Sequence, residues 1–353
     1  YTHDAILEDA EQILFRIRQR EQTGSMKKVR DMVSEVYEKI KKMGKQEGSL
    51  IGLETGFAKI DDLTSGLQKQ NLILIAARPS LGKTSLAMNM AYRLAVEKAK
   101  NILIFSLEMS AHDLIMRFVA TGSKVDLKKI RMGKFITKQE ESHIMYVLGK
   151  LSESSIFIDT DDNSVFDMRS KARNLMAELK RDKKEGLDLI IVDYMQLIKP
   201  NENIPREQQI AQISRSLKAL ARELDVPVVA LSQLNREAEK RETPISRKGG
   251  LVQGGGGPKL SDLRESGAIE QDADIVLFIA REGKEEGTSY YTDPVTGMST
   301  QKKAIKCKLI IAKNRNGPTG EQTVWFVQDL TAFEPYTGQD TDEAIGGSAN
   351  DTI

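Results

Sequence analysis

The chain has 353 residues, 40% of them hydrophobic, which is room for one large domain with an appendage or for two domains. Its 52 basic and 51 acidic residues leave a net charge of +1, which excludes a global basic field; contact with nucleic acid then needs a local patch, or a ring that gathers charge in its pore. A single cysteine, Cys307, excludes an intramolecular disulfide and a cysteine-built metal site, and the lack of a membrane-length apolar run or a signal peptide gives a cytoplasmic expectation.

Residues 4–18 place Ile6, Leu7, Ala10, Ile13, Leu14 and Ile17 on one helical face, and a polar stretch with Gly24 breaks the pattern. A second amphipathic helix covers 26–43, and 44–49 reads as a linker. The first residue is Tyr1 rather than Met, as in a fragment or a processed product. The main domain starts at Leu53 with one apolar helical turn around Ile60 and Leu63. A β-branched apolar strand follows at 71–77, then a tight loop, then a helix from Ser85 to Lys98. Further strands are expected at 102–109, 156–159, 187–198 and 226–233. Helices between them are expected at 110–121, 126–151 with a break near Gly133, 165–182 and 206–224. Residues 236–261 are polar and glycine-rich, the composition of a long mobile loop. Strands at 274–280, 305–312 and 322–328 close the sheet, and the polar tail 339–353 is expected to be disordered. Alternating strands and helices predict a doubly wound α/β domain, and the absence of helices between the last strands predicts an antiparallel edge. Cys307 falls in an apolar strand and is expected to be buried and inert.

The chemistry concentrates where strands end. The loop Arg78-Pro79-Ser80-Leu81-Gly82-Lys83-Thr84 joins a strand to a helix, the context in which a Gly-Lys-Thr match means a phosphate loop. Gly82 admits a phosphate to the backbone, Lys83 reaches the β- and γ-phosphates, and Thr84 can ligate Mg²⁺. The usual first glycine of the motif is replaced by Ala77. Asp193, after four apolar residues, can hold Mg²⁺ through water from a neighbouring strand tip. Glu108 and Gln233 close two other strands, where a carboxylate can deprotonate an attacking water and an amide can feel a γ-phosphate. At these two positions an exposed turn carboxylate and a polar strand terminator are competing readings. Lys313 and Arg315 leave a strand at a turn, which suits an arginine finger and equally a solvated hairpin. Arg264 beside Gly267 could bind phosphate at a loop opening a short helix, although charge alone favours no such role there.

Taken together, TGFAKIDDLTSGL, AARPSLGKTS, FSLEMS, IIVDYMQLI, LSQLNR, SDLRESGAIEQDADIVLFI and AKNRNGPTG resemble the RecA-like C-terminal motor of the DnaB family of bacterial replicative DNA helicases, between residues 55 and 320. Ala77 fits that family's loop. The resemblance implies a RecA-like P-loop NTPase core, a mostly parallel twisted sheet with helices on both faces, preceded by an amphipathic linker helix. The implied organisation is a linker helix over 1–24, a helical lead-in over 25–52, the motor over 53–338 and a tail over 339–353. It implies ATP and Mg²⁺ as cofactors, with Ser80, Gly82, Lys83, Thr84, Ser85 and Arg117 at the nucleotide and Thr84 and Asp193 at the metal. It further implies Glu108 as catalytic base, Gln233 as sensor, and Lys313 and Arg315 as the pair that completes a neighbour's site in trans. Arg264, Glu265 and Gly267 match the loop that follows single-stranded DNA in a hexameric ring moving 5′→3′; primase and a helicase loader are implied partners. The family's N-terminal domain is missing from the sequence, so no collar role is assigned. A strand-exchange or clock-type ATPase would share the phosphate loop, Glu108 and Asp193, and a module using ATP only for assembly would need neither Glu108 nor Arg315.

Overall fold

The computed structural model describes residues 28–45, 50–161, 164–182, 185–198, 205–234, 257–292 and 299–336. The helix expected at 4–18, most of the loop expected at 236–261 and the tail expected at 339–353 lie outside the described residues. The chain divides into two units, Tyr1–Ser49 and Leu50–Ile353. The first contributes helix α1 (Val29–Lys45), in which Val29, Val33, Val36, Tyr37 and Ile40 recur at helical spacing.

The second unit is built on a sheet of strands β1 (Leu72–Ala77), β2 (Ile102–Ser106), β3 (Ile156–Asp159), β4 (Leu189–Asp193), β5 (Val228–Gln233), β6 (Ile275–Thr292), β7 (Ser299–Asn314), β8 (Gly320–Val327) and β9 (Ala332–Pro335). Their spatial order is β3-β2-β4-β5-β1-β6-β7-β8-β9. Pairing is parallel from β3 through β6 and antiparallel from β6 onward, as the missing late helices require. The helices are α2 (Ala58–Thr64), α3 (Lys83–Tyr92), α4 (Ala111–Ser123), α5 (Leu127–Met132), α6 (Lys138–Glu153), α7 (Val165–Arg181), α8 (Arg206–Leu224) and α9 (Gly267–Asp272).

Strand β1 shows why the sheet lies at the centre. Ile73, Ile75 and Ala77 face a cluster with Ile60 of α2, Leu86 of α3 and Phe118 of α4. Leu72, Leu74 and Ala76 face Met168 of α7, Leu217 of α8 and Ile269 of α9. Burying a Leu or Ile contributes about 1.5–3 kcal/mol. Both faces are apolar, so the strand reads as a continuous hydrophobic run rather than an alternating one.

Several elements differ from the sequence expectation. The strand expected at 102–109 stops at Ser106, whose hydroxyl donates to the Met109 carbonyl at 2.8 Å and accepts its N–H at 3.2 Å. The strand expected at 187–198 stops at Asp193, and Met195–Leu197 turns as a 3-10 helix. The β6–β7 pair continues well past the apolar core, to Thr292 and Ser299, across a register shift between Arg281 and Glu286. Among the described residues no helix is long and apolar enough to cross a membrane.

Candidate functional site

Parallel register brings four strand tips to one edge. Ala77 pairs with Gln233 and Ser106 pairs with Asp193. The phosphate loop leaves from Ala77, and ligands of open parallel sheets lie at this carboxyl edge. Gly82 sits at φ +79° immediately before α3, a left-handed conformation that favours glycine. No side chain caps the start of α3, so its first N–H groups are left for an anion. A Cβ at Gly82 would lie 2.6 Å from Phe326 Cζ and 2.9 Å from Phe333 Cε2. Those two rings stack with centroids 4.6 Å apart and form the back wall of the loop. Ser80 also has positive φ, +67°, so strain gathers in this loop.

Thr84 donates its hydroxyl to Asp193 Oδ2 at 2.8 Å. Asp193 is fully buried, and its Oδ1 has no hydrogen-bond partner. An orphaned carboxylate oxygen beside a threonine hydroxyl is a donor pair suited to a hard divalent cation. Among the described residues no three His, Cys, Asp or Glu side chains form a cage. A cation here would therefore be shared with water and phosphate oxygens, as magnesium usually is. Burial pushes the Asp193 carboxyl above the usual carboxylate range, and Lys83 and the Thr84 hydrogen bond oppose that. Burial pulls the Lys83 ammonium below the usual lysine range, against the charges of Asp193 and Glu108. Its Nζ lies 4.2 Å above the Tyr194 ring, a cation–π contact that holds the ammonium over the strand tip.

Glu108 is exposed in the turn after β2, where Leu107 N–H donates to the Asp193 carbonyl at 2.8 Å. Arg117, on α4, donates from Nη1 to the Ser85 hydroxyl at 3.4 Å, and its Nε is buried without a partner. Burial, then the Arg131 charge, hold its guanidinium below the usual arginine range. Gln233 is exposed at the tip of β5. Beside it Gln196 donates to the Ser232 hydroxyl at 2.8 Å.

Lys313 and Arg315 stand elsewhere. Arg315 N–H donates to the Asp274 carbonyl at 2.8 Å, and Leu72 N–H donates to Asp274 Oδ2 at 2.8 Å. The pair therefore sits at the start of β1, and its own phosphate loop begins at the far end. Six residues at about 3.3 Å each put roughly 17–20 Å between them. Lys313 donates to the carbonyls of Glu270 at 2.6 Å, Gln271 at 3.3 Å and Ala273 at 2.7 Å. It thereby closes the end of α9. Strand β7 stops at Asn314, so Arg315 belongs to the turn and strand alternation does not set its direction. Its side chain is 58% exposed. Asn314 shapes that turn by donating to the Leu63 carbonyl at 2.8 Å and accepting Asn316 N–H at 3.2 Å. The backbone of Leu260–Ser266 is a 3-10 segment leading into α9 at Gly267. The side chains of Arg264 and Glu265 lie outside the description.

Sequence reasoning passed over Tyr194, Asn314, Asp274 and the Phe326–Phe333 wall. Only Asn314 carried a local signal, an asparagine two residues ahead of the Asn316-Gly317-Pro318 turn.

A family model for the DnaB-like helicase C-terminal domain matches residues 52–335. Replicative DNA helicase DnaB of Geobacillus stearothermophilus is 39% identical over 335 residues, 94% of this chain and 66% of that protein. Replicative DNA helicase DnaC of Bacillus subtilis (strain 168) is 37% identical, covering 93% of this chain and 66% of that protein. The chain thus spans just under two thirds of the length of these curated relatives. Among solved structures, one described as an ATPase domain matches with a TM-score of 0.73 and 32% identity, over 89% of this chain and 100% of that one. A DnaB-like replicative helicase, described with its interactions with primase, matches with a TM-score of 0.70 and 31% identity, over 95% of this chain and 75% of that one.

Proposed function

The chain belongs to the DnaB-like helicase C-terminal domain family, and from that premise we propose that it is the motor of a replicative DNA helicase. ATP hydrolysis drives a homohexameric ring 5′→3′ along single-stranded DNA and excludes the complementary strand. The reading is carried by one observation. Arg315 stands at the opposite end of β1 from the phosphate loop of its own subunit, so a site needing both takes them from two chains.

In this reading Gly82 and the first N–H groups of α3 hold the β-phosphate, and Lys83 neutralises the β- and γ-oxygens. Thr84 and Asp193 would hold Mg²⁺, which when bound supplies Lewis-acid neutralisation of the phosphate oxygens. Glu108 orients and deprotonates the attacking water from its turn. Ser80, Ser85 and Arg117 line the nucleotide on the α4 side. Gln233 carries the state of the γ-phosphate into the segment that follows β5. Arg315 of a neighbouring subunit neutralises charge in the transition state, and Lys313 anchors the base of that turn. Arg264, Glu265 and Gly267 follow DNA phosphates. We assign residues 1–24 and 25–52 to linker and lead-in and 53–338 to the motor, a division that the separate unit ending at Ser49 supports. Primase and a loader are assigned as partners, and the cytoplasm as location.

The test measures ATP turnover with and without single-stranded DNA, together with displacement of a strand from forks bearing a 5′ or a 3′ loading tail. DNA-stimulated turnover, displacement only from the 5′-tailed fork, and loss of roughly 10³-fold or more of turnover in Arg315→Ala with nucleotide affinity intact are expected. Turnover indifferent to DNA and to Arg315 would refute the reading in favour of an assembly ATPase.

A further inference from the structure

Asp274 is a buried acid to which no role has yet been given. It lies between α9 and β6 and is 3% exposed. Its Oδ2 accepts Leu72 N–H at 2.8 Å and a hydrogen bond from the Lys218 ammonium. Lys218 itself donates to the Gln70 carbonyl at 2.8 Å. On its other side the Asp274 carbonyl accepts Arg315 N–H at 2.8 Å, and Oδ1 lies 3.7 Å from Arg315 Nη1.

A carboxylate costs several kcal/mol to bury and persists only where cations and N–H groups compensate it. One cation, Lys218, is itself largely buried, with 12% of its side chain exposed, and serves as the structural partner. Lys313, whose charge also interacts with Asp274, is spent on the carbonyls that end α9, whereas Arg315 keeps 58% of its side chain exposed. A bond made only for stability would draw the guanidinium inward. Instead the Asp274 carbonyl holds the backbone N–H of Arg315, its carboxylate forms an ion pair with Nη1, and more than half of the side chain stays exposed. The same acid holds the first residue of β1, the strand that ends in the phosphate loop.

We propose that Asp274 is the positioning residue of Arg315. It fixes the base of the side chain against the rigid start of β1, so that the exposed guanidinium donors meet the phosphates of a neighbouring subunit. The proposal rests on the reading of Arg315 as a finger acting in trans. Misplacing such a group by about 1 Å costs on the order of 10²-fold in rate. Asp274→Asn keeps the shape and an acceptor for Leu72 N–H but loses the charge that faces Lys218, Lys313 and Arg315.

The test mixes subunits of the full chain. Lys83→Ala lacks its own site but retains its finger, so it should complement any variant whose only fault is the finger. Expected are an intact affinity of Asp274→Asn for a fluorescent ATP analogue, a roughly 10- to 100-fold loss of DNA-stimulated turnover alone, and recovery when mixed with Lys83→Ala. Asp274→Glu, which keeps the charge one methylene displaced, is expected to lose less than Asp274→Asn. Arg315→Ala mixed with Lys83→Ala is the control. If that control stays silent, the trans reading falls and this proposal falls with it. If the control recovers and the Asp274→Asn mixture does not, or if Asp274→Asn no longer binds nucleotide, Asp274 is a scaffold residue and the proposal is overturned. Full turnover by Asp274→Asn alone overturns it equally.

Discussion

Replacing Gly82 by alanine tests how the phosphate loop is held. Two costs can be worked out separately. At φ +79° an alanine pays about 1–2 kcal/mol for the left-handed conformation. Its methyl group would also lie 2.6 Å from Phe326 Cζ, 2.8 Å from Phe326 Cε2 and 2.9 Å from Phe333 Cε2. Both rings are buried, at 4% and 6% exposure, and stacked on each other, so neither can swing away. Overpacking of this kind costs about 1–3 kcal/mol. The sum, about 2–5 kcal/mol, is a large share of a typical domain's roughly 5–15 kcal/mol. Phe326→Leu alone is expected to cost about 1–2 kcal/mol through the space it leaves. In Gly82→Ala/Phe326→Leu that space accommodates the methyl, so the double variant should recover about 1–3 kcal/mol relative to the sum of the singles. The φ cost should remain. Urea unfolding of the four proteins reads the coupling. Additivity within about 0.5 kcal/mol would refute the back-wall argument.

Three further predictions concern protonation. Asp193→Asn removes the main charge opposing the desolvation of Lys83, so the lysine should titrate lower still than its already depressed value; pH-dependent acetylation of Lys83, read by mass spectrometry, measures this, and an unchanged or raised midpoint would contradict it. The unfolded chain keeps that proton up to about 10.5 and the folded chain releases it earlier, so the Lys83 contribution to stability rises with pH between the depressed value and 10.5, and Lys83→Met should flatten the rise. The Cys307 thiol, pushed up to about 12 by burial, should resist iodoacetamide at about pH 8 in the native protein and react promptly in urea; rapid native alkylation would show that its strand opens.

What the sequence disclosed was what is local in the chain. The phosphate loop was legible because strand, loop and helix are consecutive, and Asp193 because four apolar residues precede an acid at a strand end. The helices expected at 165–182 and 206–224 were legible in the sequence, and the structure adds the capping box of Ser164 and Asp167 that starts the first of them. Less legible were contacts between distant segments. Phe326 and Phe333 lie far along the chain from Gly82, and nothing in an apolar strand says which glycine it backs. The end of β2 at Ser106 depends on a side chain bonding its own turn, which the alternation of Leu107 and Met109 with polar neighbours conceals as continued strand. Strand β9, only four residues long, has too short a pattern to rise above a loop.

The antiparallel edge ties these pieces together. Strand β8 begins just after the turn that carries Arg315, and Phe326 near its end backs the subunit's own phosphate loop. Gln322, near the middle, accepts the N–H groups of Lys59 and Ile60 at 3.1 and 3.2 Å and so fixes α2 against the sheet. Asn89 of α3 accepts Phe333 N–H at 2.6 Å and donates to the Thr331 carbonyl at 3.1 Å, which locks β9 onto the helix that follows the phosphate loop. A second link runs through β1 itself, from Asp274 and Leu72 at one end to Ala77 at the other. The turn bearing Arg315 and the loop bearing Lys83 are thus joined twice through one sheet, once along β1 and once along β8. Strands in a packed sheet are stiff, because sliding either by one residue would reverse every side chain on it. On the proposed reading of a ring with shared sites, the turn assigned to a neighbour's nucleotide is then rigidly joined to the loop assigned to the subunit's own.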